Sequence, residues 1–148
     1  MADRKHGAAA PATTSTITGA DWDGRDISEE KHESVLFVDL DFLGSMFDRC
    51  TFDTTQVVGG NWSHVGLPGV DLRSATFSGV RMREADLTGA RCQGSSLRDV
   101  DLTGAWLHRV DFTDCDLRGC DLSALVPDEV ELRGAIVTYN QPTDKFSR

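Results

Sequence analysis

Residues 70–124 read VDLRS ATFSG VRMRE ADLTG ARCQG SSLRD VDLTG AWLHR VDFTD CDLRG CDLSA when the chain is cut every five residues. Each unit opens on a small residue, continues with a polar residue that is often Asp, centres on Leu or Phe, and closes on two polar positions. Carried outward without insertion, the frame runs from Ala20 to Tyr139, giving 24 units in 120 residues. The central positions are Trp22, Ile27, His32, Phe37, Phe42, Phe47, Phe52, Val57, Trp62, Leu67, Leu72, Phe77, Met82, Leu87, Cys92, Leu97, Leu102, Leu107, Phe112, Leu117, Leu122, Pro127, Leu132 and Val137, and of these His32 and Pro127 are unsuited to a core.

A period of five matches neither the 3.6 of a helix nor the 2 of a flat strand, so no single face of either element could bury it. The chain must turn at every unit. The central residue and the small residue two before it then point inward and the other three face water. Glycine recurs at the fifth position, as in Gly69, Gly79, Gly89 and Gly94, where a tight corner needs a permissive backbone.

With units such as ADLTG, VDLTG and CDLRG, the chain resembles the pentapeptide-repeat family, whose A(D/N)LXX units coil into a right-handed quadrilateral β-helix. The resemblance implies an all-β solenoid with four units per coil. Across residues 20–139 this predicts about six coils and, at about 4.8 Å per strand, a rod about 29 Å long. Residues 1–19 and 140–148 are expected to be tails, because neither carries enough apolar surface to fold alone. RDISEEKHES, residues 25–34, puts Arg25, Glu30 and His32 at inward positions and is expected to be a loop or a polar cap. LVPDE, residues 125–129, is expected to bulge, since Pro127 cannot donate a ladder hydrogen bond.

Composition narrows the function. The 148 residues carry a formal charge of −9, which opposes direct contact with nucleic acid. No apolar run is long enough to span a bilayer, and the N-terminal stretch lacks the apolar segment of a secretory signal, so the expected location is cytoplasmic. Cys50, Cys92, Cys115 and Cys120 form no CxxC pair and fall on inward repeat positions, where free cysteine acts as a compact apolar residue. His32, His64 and His108 fall in different columns, and no phosphate-binding loop motif is present. These features point away from an enzyme and predict no cofactor and no metal.

Two sets of outward residues are candidates for binding a protein partner. Met46, Trp106 and Val126 share one outward column, and Leu36 and Ile136 share another that Val38 and Val58 widen. An outward Trp in a charged solenoid suits an interface anchor. Asp21, Asp41, Asp101 and Asp121 share an acidic column with Asn61 and Arg81. The family resemblance gives this column a specific meaning, because some pentapeptide-repeat proteins mimic the shape and charge of B-DNA, occupy the DNA site of gyrase and protect it from quinolones. Residues 20–139 hold 22 acidic and 11 basic residues, against roughly 17 phosphates on about 29 Å of duplex. An Asp before the central Leu can equally serve the backbone of its own turn. The reading is a non-enzymatic scaffold binding a protein through its outer face, with gyrase binding by DNA mimicry as the alternative.

Overall fold

The computed structural model describes residues 15–138. Six short strands are formed: β1 (Ser15–Thr18), β2 (Asp26–Ser28), β3 (Val35–Val38), β4 (Met46–Asp48), β5 (Gln56–Val58) and β6 (Thr76–Ser78). All pairing is parallel and joins residues 20 apart. One column runs Thr16, Leu36, Gln56, Thr76, Ser96, Asp116, Ile136, so the chain climbs six steps of 20 residues, a rise of about 29 Å. A β-solenoid with four five-residue sides per coil is the fold that the repeat predicted.

The corners explain the period. Positive φ recurs at every fifth residue from Gly19 to Gly119 and returns at Gly134. Many corners are closed by a hydrogen bond from the first amide of the next unit to the central carbonyl, such as Ala75 N to Leu72 O at 3.1 Å and Ala105 N to Leu102 O at 3.0 Å. That is a β-turn whose third residue must be left-handed, a conformation open to Gly and tolerated by Asn or Asp. Eight corners nevertheless carry a residue that is neither Gly, Asn nor Asp, among them Thr54 at φ 53° and Arg109 at φ 57°. The ladder between coils overrides local preference there.

The second position of the unit is also accounted for. Asp41, Asp71, Asp86, Asp101, Asp111, Asp116 and Asp121 each accept, through Oδ1, the backbone N–H two residues on, at 2.9–3.1 Å. Asn61 does the same for Ser63 at 3.1 Å. The carboxylate satisfies an amide that the turn leaves outside the ladder.

The core changes character along the rod. Toward the N-terminal end it is aromatic, with Trp62 against Phe42 at 4.3 Å and stacked on Phe47 at 5.8 Å between ring centroids. Toward the other end Leu87, Leu97, Leu102, Leu117 and Leu122 fill the same columns, almost fully buried. These ladders supply the apolar burial that holds the coils together.

Two boundaries differ from the expectations and a third agrees. Ser15–Thr18 pairs with Val35–Val38, so the solenoid takes in part of the segment expected to be an N-terminal tail. Ile17, packed against the core, is its inward residue. Residues 25–34 form two regular sides of a coil rather than a loop: β2 pairs with β4 and Lys31 bridges to Thr51. His32 is buried and stacked on Phe52 at 5.1 Å, its imidazole serving as a flat core group. Arg25 stays exposed, with its guanidinium 5.9 Å from the ring centre of Trp22. The break at 125–129 is present as a 3-10 turn over Pro127–Glu129. Corner amides elsewhere reach the carbonyl 19 residues ahead, as Gly89 N does to His108 O, whereas Arg109 N reaches Glu129 O, and Phe112 N to Glu131 O restores the register. The remaining expected tail residues, 1–14 and 139–148, lie outside the described residues.

Candidate partner-binding surface

Because the inward positions are consumed by packing, any site must be built from the outward ones. The second side of each coil, over the inward residues Ile27, Phe47, Leu67, Leu87 and Leu107, carries the outward column Asp26, Met46, Gly66, Asp86, Trp106. Trp106 is 65% exposed, Val126 49% and Met46 42%. Among the described aromatic residues, Trp106 alone is exposed; the phenylalanines and Trp62 are buried and Trp22 is half-buried.

The column does not form one apolar patch. Gly66 and Asp86 separate Met46 from Trp106, a gap of three coils or about 14 Å. Met46 lies along the rod over Gly66, where an added Cβ would come within 2.5 Å of Met46 Sδ and Cε. Val126 neighbours Trp106 on the other side but belongs to the start of the 3-10 turn and lies outside the ladder there. Val58 is 45% and Ile136 49% exposed on the fourth side, four steps of the ladder apart from each other in coil level.

The acidic column of the first side is Asp21, Asp41, Asn61, Arg81, Asp101 by direct bridges. Its carboxylates are partly occupied. Asp101 accepts from Thr103 N and from Thr103 Oγ1, at 3.1 and 2.6 Å, and has Arg83 Nε at 3.7 Å. Asp121 accepts from Ser123 N at 2.9 Å and from Thr103 Oγ1 at 3.2 Å. The hydrogen bonds from Ser123 hold its carboxyl below the usual range. Arg81 therefore divides two pairs of carboxylates, each bound to its own turn.

Other polar groups are engaged with one another. Asp71, almost buried, takes a two-pronged contact from Arg73 at 2.9 and 2.7 Å and a third from Arg91 at 3.4 Å. The Arg73 hydrogen bonds lower its pKa. His108 Nδ1 is 3.1 Å from Glu129 Oε2. All four cysteines are free and buried. Burial pushes the Cys115 thiol up to about 11 and that of Cys120 to about 12, so neither is a ready nucleophile at neutral pH. Shallow grooves mark the outside. One of about 480 Å³ runs over Gly59, Gly60 and Gly79 between Asp41 and Arg81, and one of about 440 Å³ lies among Glu33, Asp53, Asp71, Arg73 and Gln93. The first follows from Gly-Gly at a corner, a signal visible in the sequence; the second depends on contacts between coils that no short motif announces. Among the described residues no helix is long and apolar enough to cross a membrane, and no group of three or more His, Cys, Asp or Glu is placed to hold a metal ion.

Comparison with known proteins bears on the fold directly. No curated protein sequence matches the chain. A trypsin-treated form of QnrB1, a plasmid-mediated fluoroquinolone resistance protein, is similar at 15% identity and a TM-score of 0.54, over 90% of this chain and 94% of that one. A pentapeptide repeat protein from the Arabidopsis thaliana thylakoid lumen is similar at 23% identity and a TM-score of 0.52, over 68% of this chain and 67% of that one. At such identities the likeness is one of fold. The family model for pentapeptide repeats matches eight copies within residues 67–104 and 95–124. That match lies on the most regular coils, and the same 20-residue pairing is carried through the rest, so the chain resembles pentapeptide-repeat proteins in sequence over residues 67–124 and in fold along the solenoid.

Proposed function

We propose that this protein is a non-enzymatic rod that binds a protein partner through its outer face, with Trp106 as the anchor. The observation that carries this reading is the exposure of Trp106, 65%, on a molecule whose other described aromatic side chains are turned into the core or partly covered. Large aromatic residues dominate the energetics of interfaces because one side chain removes much apolar area from water at little entropic cost. The four unbridged thiols suit a reducing compartment and so a cytoplasmic location. Capture of partners from a cell lysate by the wild type and by Trp106→Ala, with melting temperatures matched, tests the anchor. Loss of the captured species with the variant is expected, and undiminished capture would remove Trp106 from the reading.

A second reading is favoured by the likeness in fold to QnrB1 and by the charge of −9: binding to gyrase at the site that DNA occupies. It makes Asp101 and Asp121 the contact residues. Supercoiling by purified gyrase, with the protein titrated in and a quinolone present or absent, decides it. Inhibition or drug protection that weakens in Asp101→Asn/Asp121→Asn supports mimicry, and no effect at tens of micromolar ends it.

A further inference from the structure

Trp106 stands among carboxylates that no cation of the described residues neutralises. Asp86 is its direct ladder neighbour. Glu84 reaches along the rod over Gly104, two residues before Trp106, where an added Cβ would meet Glu84 Cγ at 3.1 Å. Asp128, exposed in the 3-10 turn, lies on the next coil beyond it. Elsewhere Asp71, Asp101 and Asp116 have arginine nitrogens at 2.7, 3.7 and 2.8 Å, and carboxylates that lack one, such as Asp39 and Asp53, have no exposed aromatic side chain of the described residues beside them. Within the three stacked segments 84–89, 104–109 and 124–129 the basic groups are Arg109 and His108, and His108 is paired with Glu129.

From this setting we infer that the Trp106 face recognises a cationic side chain, an arginine or lysine on a basic segment of a protein partner, held against the indole and within reach of Glu84, Asp86 and Asp128. The inference rests on the reading of Trp106 as the partner anchor and adds the chemistry of what it binds. An aromatic face attracts a cation through its quadrupole, and carboxylates beside it add direct charge attraction. A nucleic acid would bring phosphates to this acidic surface and be repelled. A second copy of the chain, carrying the same net charge of −9, is disfavoured for the same reason.

The probe is a fluorescein-labelled hexa-arginine peptide, followed by anisotropy at about 50 mM salt, where exposed charges are weakly screened. Three proteins are compared with wild type after their melting curves have been matched: Trp106→Ala; the triple variant Glu84→Gln, Asp86→Asn, Asp128→Asn; and a control triple, Asp23→Asn, Asp39→Asn, Asp53→Asn, which removes the same charge from other faces. Asparagine at position 86 keeps the turn hydrogen bond, as Asn61 does at its own site. About tenfold weaker binding is expected for each of the first two and less than about twofold for the control. Equal losses in the two triples, an unchanged affinity in Trp106→Ala, or no wild-type binding at about 1 mM peptide would overturn the inference. Partner capture separates it from the broader reading. A partner lost with Trp106→Ala but kept by the first triple leaves Trp106 as an anchor and ends the cation assignment, whereas one kept by both ends the two together.

Discussion

Gly60 occupies an inward small position where its column otherwise carries Ala20, Leu40, Val80, Val100 and Cys120. Its φ is +93°, and a Cβ there would come within 2.5 Å of Leu40 O and 3.0 Å of Leu40 N. Those atoms cannot swing away, because Leu40 O accepts the ladder bond from Asn61 N at 2.9 Å. Gly60→Ala should therefore cost the left-handed strain, about 1–2 kcal/mol, and in addition about 1–2 kcal/mol for a ladder bond pushed out of geometry. Gly69→Ala is the matched control, with φ +65° and nothing within 4 Å of the added Cβ. It should cost about 1 kcal/mol, since the loss of unfolded-state freedom offsets part of the strain. At about 4 °C per kcal/mol for a domain of this size, thermal denaturation should fall by about 12 °C for Gly60→Ala and by about 4 °C for Gly69→Ala. Equal shifts would mean that adjacent coils do not approach at Gly60 as closely as their backbones are placed, and the packing account of this corner would be wrong.

Thr54, β-branched at φ 53°, should be improved by Thr54→Asn, which keeps a polar group beside Ser34 and lowers the left-handed strain; a gain of about 0.5–1 kcal/mol in urea denaturation is expected. Burial lowers the pKa of His32, and Glu30 offsets only part of that. The folded state thus binds this proton less readily than the unfolded chain, so the stabilisation is complete above about pH 6.5 and is lost as pH falls through the lowered folded value. His32→Phe should remove this step from a stability profile between about pH 7 and 5. Asp71 and Asp116, held down first by the hydrogen bonds from Arg73 and Arg118, contribute stability above the ordinary carboxylate range, and it should disappear as pH drops below about 4. The four buried thiols should resist an aromatic disulfide reagent in the native protein and all react once it is unfolded; rapid native labelling of Cys115 or Cys120 would contradict their placement.

The fold was readable because each rule behind it acts within five residues. The small and large inward positions, the turn-binding Asp and the left-handed corner all recur in register, so Val70 to Ala124 alone defines the coil. Where reading failed, the deciding interaction came from a neighbouring coil. Ser15–Thr18 looks like tail because STIT has no repeat signature, yet it can pair with Val35–Val38 one coil on. RDISEEKHES looks like a loop because of its charge, yet Ile27 and His32 are enough to seat it on Phe47 and Phe52. Pro127 was a sound signal of a break, since its missing N–H is a local fact, but the 3-10 turn that replaces the coil side depends on how the next coil closes.

The surface was harder to read, and the reason is the same locality. An Asp in the second position is required by its own turn, so its presence says little about a partner; the hydrogen bonds of Asp101 and Asp121 show how far that duty goes. Sequence columns identified Met46 and Trp106 as neighbours in projection, but their separation by Gly66 and Asp86, with Met46 laid over Gly66, is a matter of side-chain direction. What distinguishes a binding residue on such a rod is the lack of a structural task. Trp106 closes no turn and fills no inward column, and Glu84 and Asp128 enter no ion pair among the described residues. Asp86 does bind its turn, but through one oxygen, and its charge is not matched by a described arginine as those of Asp71 and Asp116 are. A solenoid that spends many of its acidic residues on its own backbone and its own arginines carries unpaired ones beside the most exposed of its described aromatic side chains, and that coincidence is the physical ground for placing the partner there.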